Sequence, residues 1–101
     1  MRVKICGITR LEDALLAGAL GAFALGFGLV PGSRRRIAPE AARAIGEALG
    51  PFVVRVGVFR NQPPEAVLRL MEEARLQVAQ LHGEEPPEWA EAVGRFYPVI
   101  K

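Results

Sequence analysis

Five short apolar runs, each followed by a stretch of helical periodicity, restrict this chain more than any other feature. Strand-like runs begin near residues 2, 22, 52, 78 and 98, which gives the order β-α-β-α-β-α-β-α-β. Strands that alternate with helices are joined by right-handed crossovers and pair in parallel, so the chain reads as an α/β protein. The punctuation is local. Thr9-Arg10-Leu11-Glu12 has capping-box spacing, with a hydroxyl for the N3 amide and a glutamate to reach back. Leu11, Leu15, Gly18 and Ala19 share one face of that first helix, and Gly18 and Gly21 suit its end. Pro39 and Glu40 open a second helix, which Gly50 closes. Pro63-Pro64-Glu65 opens a third, with Val67, Leu70, Met71 and Ala74 as its apolar stripe. Pro86-Pro87-Glu88 opens a fourth, with Trp89, Val93 and Phe96 toward the core.

Alternation alone does not separate an open doubly wound sheet from part of a barrel. The dinucleotide-binding glycine pattern is absent: Gly7 stands alone after the first strand, and Gly26-x-Gly28 falls short. Side-chain parity points further. If apolar strand residues face the helices, Val3 and Ile5 go outward and leave Lys4 and Cys6 on the other face. By the same rule Val54, Val56 and Val58 leave Arg55, Ala79 and Leu81 leave Gln80 and His82, and Ile100 leaves Lys101. A sheet with helices on both faces does not tolerate three such cations, whereas a barrel interior below an active-site mouth does. The expected fold is therefore a parallel (β/α)8 TIM barrel. Eight strand–helix units usually take about 250 residues and at least roughly 200. These 101 residues supply four units and the start of strand five, so 1–101 read as the N-terminal half of a single barrel domain. No Asp or Glu lies on the strands to neutralise Lys4, Arg55 and Lys101, and the C-terminal half is expected to supply those partners.

Composition narrows the function classes. A formal net charge of +2 is small for a nucleic-acid binder, and Arg34-Arg35-Arg36, without interleaved aromatics, reads most simply as a solvated loop. One cysteine forms no internal disulfide, which favours a cytoplasmic setting. No apolar run reaches the ~18 residues needed to span a bilayer, and Met1-Arg2-Val3-Lys4 leads into a strand pattern rather than a signal peptide. Eleven arginines against two lysines, with a single Asn, fit a thermophile, although a GC-rich genome produces the same bias.

In a barrel the active site lies at the C-terminal ends of the strands. Cys6 ends strand one and His82 ends strand four. A lone cysteine is often a buried structural thiol, but this one sits at a strand end before a glycine. As a base or nucleophile it needs its thiolate, which nearby positive charge favours. Lys4 lies two residues back on the same face, roughly 6–7 Å away at strand rise, and is the candidate for that charge. His82 reads either as a satisfied polar residue or as a substrate contact. Arg35, in the loop after strand two, has the fork to bind a carboxylate bidentately. Asp13 is the only aspartate, and it falls inside helix one.

Lys4-Ile5-Cys6-Gly7-Ile8-Thr9, Ala24-Leu25-Gly26-Phe27, Pro31-x-Ser33-x-Arg35, Val56-Gly57-Val58-Phe59 and Gln80-Leu81-His82-Gly83, in this order, resemble the phosphoribosylanthranilate isomerase family. The resemblance covers essentially the whole chain. It implies a (β/α)8 barrel enzyme of tryptophan biosynthesis, an intramolecular aldose–ketose isomerase working by Amadori rearrangement without cofactor or metal. Its substrate class is a phosphosugar-anthranilate, N-(5′-phosphoribosyl)anthranilate, converted to 1-(2-carboxyphenylamino)-1-deoxyribulose 5-phosphate. On the matching positions Cys6 is the general base and Arg35 holds the anthranilate carboxylate. The family's general acid is an aspartate at the end of a later strand, and its phosphate site follows strands seven and eight; neither has a counterpart here. The 101-residue chain alone is accordingly expected to be inactive, with the C-terminal half as partner and a homodimer as an expected assembly. Two alternatives stay open: an inert half-barrel that self-associates or binds a small anion, and another phosphosugar-binding barrel enzyme.

Overall fold

A computed structural model describes residues 2–101; Met1, the first residue of the expected lead into strand one, lies outside the described residues. The elements follow the order read from the sequence: β1 (Lys4–Ile5), α1 (Leu11–Ala19), β2 (Ala24–Gly28), α2 (Pro39–Leu49), β3 (Val54–Phe59), α3 (Pro64–Ala74), β4 (Val78–Leu81), α4 (Pro87–Gly94) and β5 (Val99–Ile100). Three helices start on proline, whose fixed φ suits the first turn and whose missing N–H costs nothing there. Glu40, Glu65 and Glu88 add a negative charge to each of those first turns, where the helix dipole favours it. Helix α1 departs from expectation. Its N-cap is Arg10, without a side-chain cap hydrogen bond, so the Thr9 capping box does not form; Arg10 instead pairs with Glu12 at 3.2 Å.

All five strands are parallel and pair in the order β1-β2-β3-β4-β5. A right-handed crossover that always advances to the next neighbour keeps every helix on the same face. The core therefore lies between the outer face of the sheet and the helices, where Leu25, Phe27, Phe59, Val67, Met71 and Leu81 are buried together. The other face is the concave inner wall of a barrel arc.

Register fixes which residues occupy that wall, and it corrects part of the parity expectation. Lys4 aligns with Ala24 and Ala24 with Val54, while Gly26, Val56 and Val78 form the next row. Lys4, Cys6, Gln80 and His82 fall on the inner side as expected. Arg55 does not. A Cβ on Gly46 of α2 would lie 2.6 Å from Arg55 Cδ, so this side chain runs outward under α2. Val54, Val56 and Val58 are the inward residues of β3. The misreading has a physical cause: a barrel interior is a packed core rich in branched side chains, so valine suits either face. In β5 Ile100 aligns with Gln80 on the inner side, and Lys101 reaches the loop after β4, where its Nζ lies 2.9 Å from Glu85 Oε1. Lys4 is thus the one inner-face cation of the three expected.

The third helix buries Val67, Met71 and Ala74 as anticipated. Leu11 and Leu15 of α1 are exposed instead: α1 buries the small residues Ala14 and Ala17 in the core, and its Gly18 faces Leu49 of α2. Phe96, expected in the core, is 69% exposed, and Tyr97 packs there in its place.

Arg55 Nε is buried without a hydrogen-bond partner. An apolar side chain of similar length removes that unsatisfied donor. Arg55→Met is expected to leave the urea unfolding free energy unchanged or raise it by about 1 kcal/mol. A loss of stability would count against the outward, unpartnered placement.

Candidate active site

The C-terminal ends of β1 to β4 open onto one pocket of about 570 Å3. Its wall brings together Cys6, Arg35, Arg60, Gln80 and His82, and contains no Asp or Glu. Three of the four expected site residues therefore meet from separate segments, and a cationic, carboxylate-free lining favours an anionic ligand.

Two glycines set the geometry around Cys6. Its backbone and Sγ press so closely on β2 that a Cβ at Gly26 would lie 3.0 Å from Sγ and 3.3 Å from Cys6 Cα. Gly7 then turns the chain with φ +79°, a conformation that favours glycine. Arg35 lies across this turn: a Cβ at Gly7 would meet its Cδ at 2.9 Å and Nη1 at 3.2 Å. The thiol itself is free and exposed.

Arg35 is placed by a loop folded back on β2. The Ser33 amide donates to Val30 O at 3.2 Å and the Arg36 amide to Ser33 O at 3.2 Å. Ser33 Oγ accepts the Arg35 amide at 3.2 Å, and the Ile37 amide returns to Gly28 O at 2.9 Å. Of the three arginines only the middle one lines the pocket, the one that the Pro31-x-Ser33-x-Arg35 motif singles out.

Lys4 does not line the pocket. Its ammonium donates to Gln80 Oε1, and Gln80 is a wall residue, so the Lys4 charge stands behind that amide. The His82 amide donates to Phe59 O at 2.8 Å, which continues the β3–β4 ladder up to the imidazole. Asp13 sits exposed in the first turn of α1, away from the pocket. Among the described residues no three His, Cys, Asp or Glu gather as a metal cluster. A broader surface depression of about 750 Å3 lies on the helix side, lined by Arg43, Arg69 and Tyr97. It holds no strand-end residue, and two of its three arginines pair along their own helices, Arg43 with Glu47 at 2.9 Å and Arg69 with Glu73 at 3.9 Å. The chemistry-bearing groups are elsewhere.

Sequence reading passed over Arg60 and Glu85. Arg60 is the residue after β3, a strand-end position like that of Cys6, and that signal was available. Glu85 had none, since nothing in Gly83-Glu84-Glu85-Pro86 says which glutamate turns inside. Its carboxylate is 1% exposed. Oε1 accepts Lys101 Nζ at 2.9 Å and the Gly83 amide at 3.1 Å, and Oε2 accepts the Asn61 amide at 2.9 Å. Burial works to raise its pKa, but the Lys101 ion pair and the amides outweigh that and hold it down, from 4.5 to about 2.

Parallel strands paired in sequence order, with helices on one face and an anion-favouring pocket at the strand ends, define one arc of a (β/α)8 barrel. The chain belongs to the N-(5′-phosphoribosyl)anthranilate isomerase family: the family described as "PRAI: N-(5'phosphoribosyl)anthranilate (PRA) isomerase" matches residues 3–101. It is similar to the phosphoribosyl anthranilate isomerase of Thermus thermophilus, at 95% identity and TM-score 0.96 over 98% of this chain and 50% of that one. A phosphoribosyl anthranilate isomerase solved in complex with reduced 1-(o-carboxyphenylamino)-1-deoxyribulose 5-phosphate is 50% identical, with TM-score 0.94 over 98% of this chain and 51% of that chain. The Thermotoga maritima isomerase, described as dimeric and solved as generated monomers, is 47% identical, with TM-score 0.91 over 98% of this chain and 50% of that chain. The chain spans about half the length of the curated relatives it matches. No described helix is long and apolar enough to cross a membrane.

The low pKa of Glu85 carries a pH signature. A carboxylate depressed from 4.5 to about 2 on folding adds stability above pH 4.5 and loses it as pH falls toward 2. Glu85→Gln is expected to lower unfolding free energy by about 3 kcal/mol at neutral pH, with the gap closing over that acid window. Urea titrations of both proteins across the window measure it.

Proposed function

We propose that residues 1–101 form the N-terminal half of a single (β/α)8 barrel domain. The complete barrel is then a phosphoribosylanthranilate isomerase of tryptophan biosynthesis, and this chain is inactive alone. The observation that carries the reading is the meeting of Cys6, Arg35 and His82 in one carboxylate-free pocket. In the proposed reaction a general acid from the C-terminal half protonates the furanose ring oxygen of N-(5′-phosphoribosyl)anthranilate. The C1′–O bond breaks and a Schiff base forms. The Cys6 thiolate takes the proton from C2′, and the resulting enolamine tautomerises to the aminoketose. Protons move and electron pairs shift between C1′ and C2′ with no net redox change, so acid–base groups suffice and no cofactor or metal is assigned. Arg35 holds the anthranilate carboxylate with its two parallel N–H groups. His82 contacts the substrate from β4, and Lys4 lends its charge through Gln80.

Supplying the chain with its C-terminal half and following loss of substrate fluorescence tests this. Cys6→Ala is expected to lower kcat by about 10²–10⁴-fold, the usual share of a general base. Arg35→Gln is expected to act chiefly on KM. Undiminished turnover in Cys6→Ala would remove the base assignment. For Lys4, the measurement is the pH dependence of Cys6 alkylation in Lys4→Met; an unchanged profile would remove Lys4 from the reaction.

A homodimer is the proposed assembly. Leu20, Phe23, Phe52 and Phe96 are exposed at the N-terminal end of the sheet, opposite the pocket, and Phe52 is 93% exposed. Association there leaves the pocket mouth open. One free cysteine fits a cytoplasmic location. A second reading, an inert half-barrel that self-associates, has its own support: Val3, Ile5, Leu11 and Leu15 are exposed at one edge of the arc and Ile100 at the other. The solution mass of the 101-residue chain, with and without its C-terminal half, separates the two. Edge-to-edge association that the C-terminal half converts into a discrete, active dimer fits the isomerase; association that stays heterogeneous and inactive in its presence fits the inert form.

A further inference from the structure

Glu85 lies outside the pocket wall, yet its three partners converge on the residues that build it. Asn61 follows Arg60 and Gly83 follows His82, and both arginine and histidine line the pocket. The carboxylate accepts the Asn61 amide at 2.9 Å and the Gly83 amide at 3.1 Å. Lys101 completes the arrangement, since its Nζ donates to Glu85 Oε1 at 2.9 Å and to Gly83 O at 3.2 Å. The peptide groups on both sides of Gly83 are therefore clamped by one ion pair. The two loops also touch directly: Asn61 Oδ1 accepts the Glu84 amide at 2.8 Å, and a Cβ on Gly83 would come within 2.5 Å of that oxygen. Asn61 holds φ at 52°, a left-handed conformation that its contacts with Glu84 and Glu85 hold in place.

The geometry points to Glu85 as a positioning residue for His82 and Arg60, acting with Lys101 to set where the two side chains enter the pocket. Resting on the isomerase reading, this makes Glu85 a determinant of substrate binding that never touches substrate. The hydrogen bonds run to main-chain groups next to the wall residues, so loosening them shifts the roots of both side chains at once. A shift on the order of 1 Å at such a position costs up to about 100-fold in kcat/KM.

His82 is the only histidine of the chain, so a 13C-histidine-labelled 101-residue chain reports a single imidazole, alone or assembled with an unlabelled C-terminal half. Glu85→Gln is expected to displace that signal and to raise KM of the assembled enzyme about 10-fold or more, with the smaller change in kcat. Met71→Ala, which weakens the core on the helix side of the sheet and touches neither Asn61 nor Gly83, serves as control and is expected to leave the signal in place. Where Glu85→Gln does not fold, Lys101→Met tests the same clamp with the amide bonds to Glu85 kept. An unmoved His82 signal in a folded variant overturns the positioning role, whatever the assay reads. A displaced signal in an assembly that shows no isomerase activity upholds the positioning role and overturns the isomerase reading instead.

Discussion

Five parallel strands paired in chain order oblige every helix to lie on one side of the sheet, because a right-handed crossover that keeps advancing never changes faces. One face is then dry, filled by Leu25, Phe27, Phe59 and Met71 against the helices. The other is the concave wall of a barrel arc. All strand C-termini also point the same way, so Cys6, Arg60 and His82 are delivered to one mouth although they are far apart in sequence. The pocket follows from connectivity before any particular side chain is considered.

Close packing then refines that mouth. Gly26 lets the Cys6 backbone and sulfur rest on β2, and Gly7 turns the chain beneath the Arg35 side chain. A thiol and a guanidinium share one corner because two side chains there are reduced to hydrogen. On the far side the ion pair of buried Glu85 with half-exposed Lys101 performs a comparable service with polar groups, fixing main-chain amides that no strand ladder reaches. Breaking such a pair leaves a buried charge, which costs more than the pair contributes when intact. Its use here is one of shape.

Much of this was legible in the residues. The helices that open on Pro39, Pro64 and Pro87 start within a residue of expectation, because proline at the first turn is a local signal. The stripe Val67, Met71 and Ala74 was readable for the same reason, as was the placing of Cys6 and His82 at strand ends. Parity failed in β3 and β5. Valine fills a barrel interior as readily as it faces a helix, and a two-residue strand has no alternation to read. The barrel expectation held although its ground of three inward cations did not: Lys4, Cys6, Gln80 and His82 face inward, Arg55 and Lys101 do not, and it is the strand order that makes the arc.

Sequence by itself determined the order of elements, the strand-end positions of the thiol and the imidazole, and the family to which those motifs belong. These depend on neighbours a few residues apart, where spacing and turn chemistry act. Only the tertiary structure decided that Lys4 directs its ammonium to Gln80, that Arg55 runs outward under α2, and that Glu85 rather than Glu84 is buried. Each of those outcomes joins residues from different elements, and register and crossover geometry, not local pattern, bring them together.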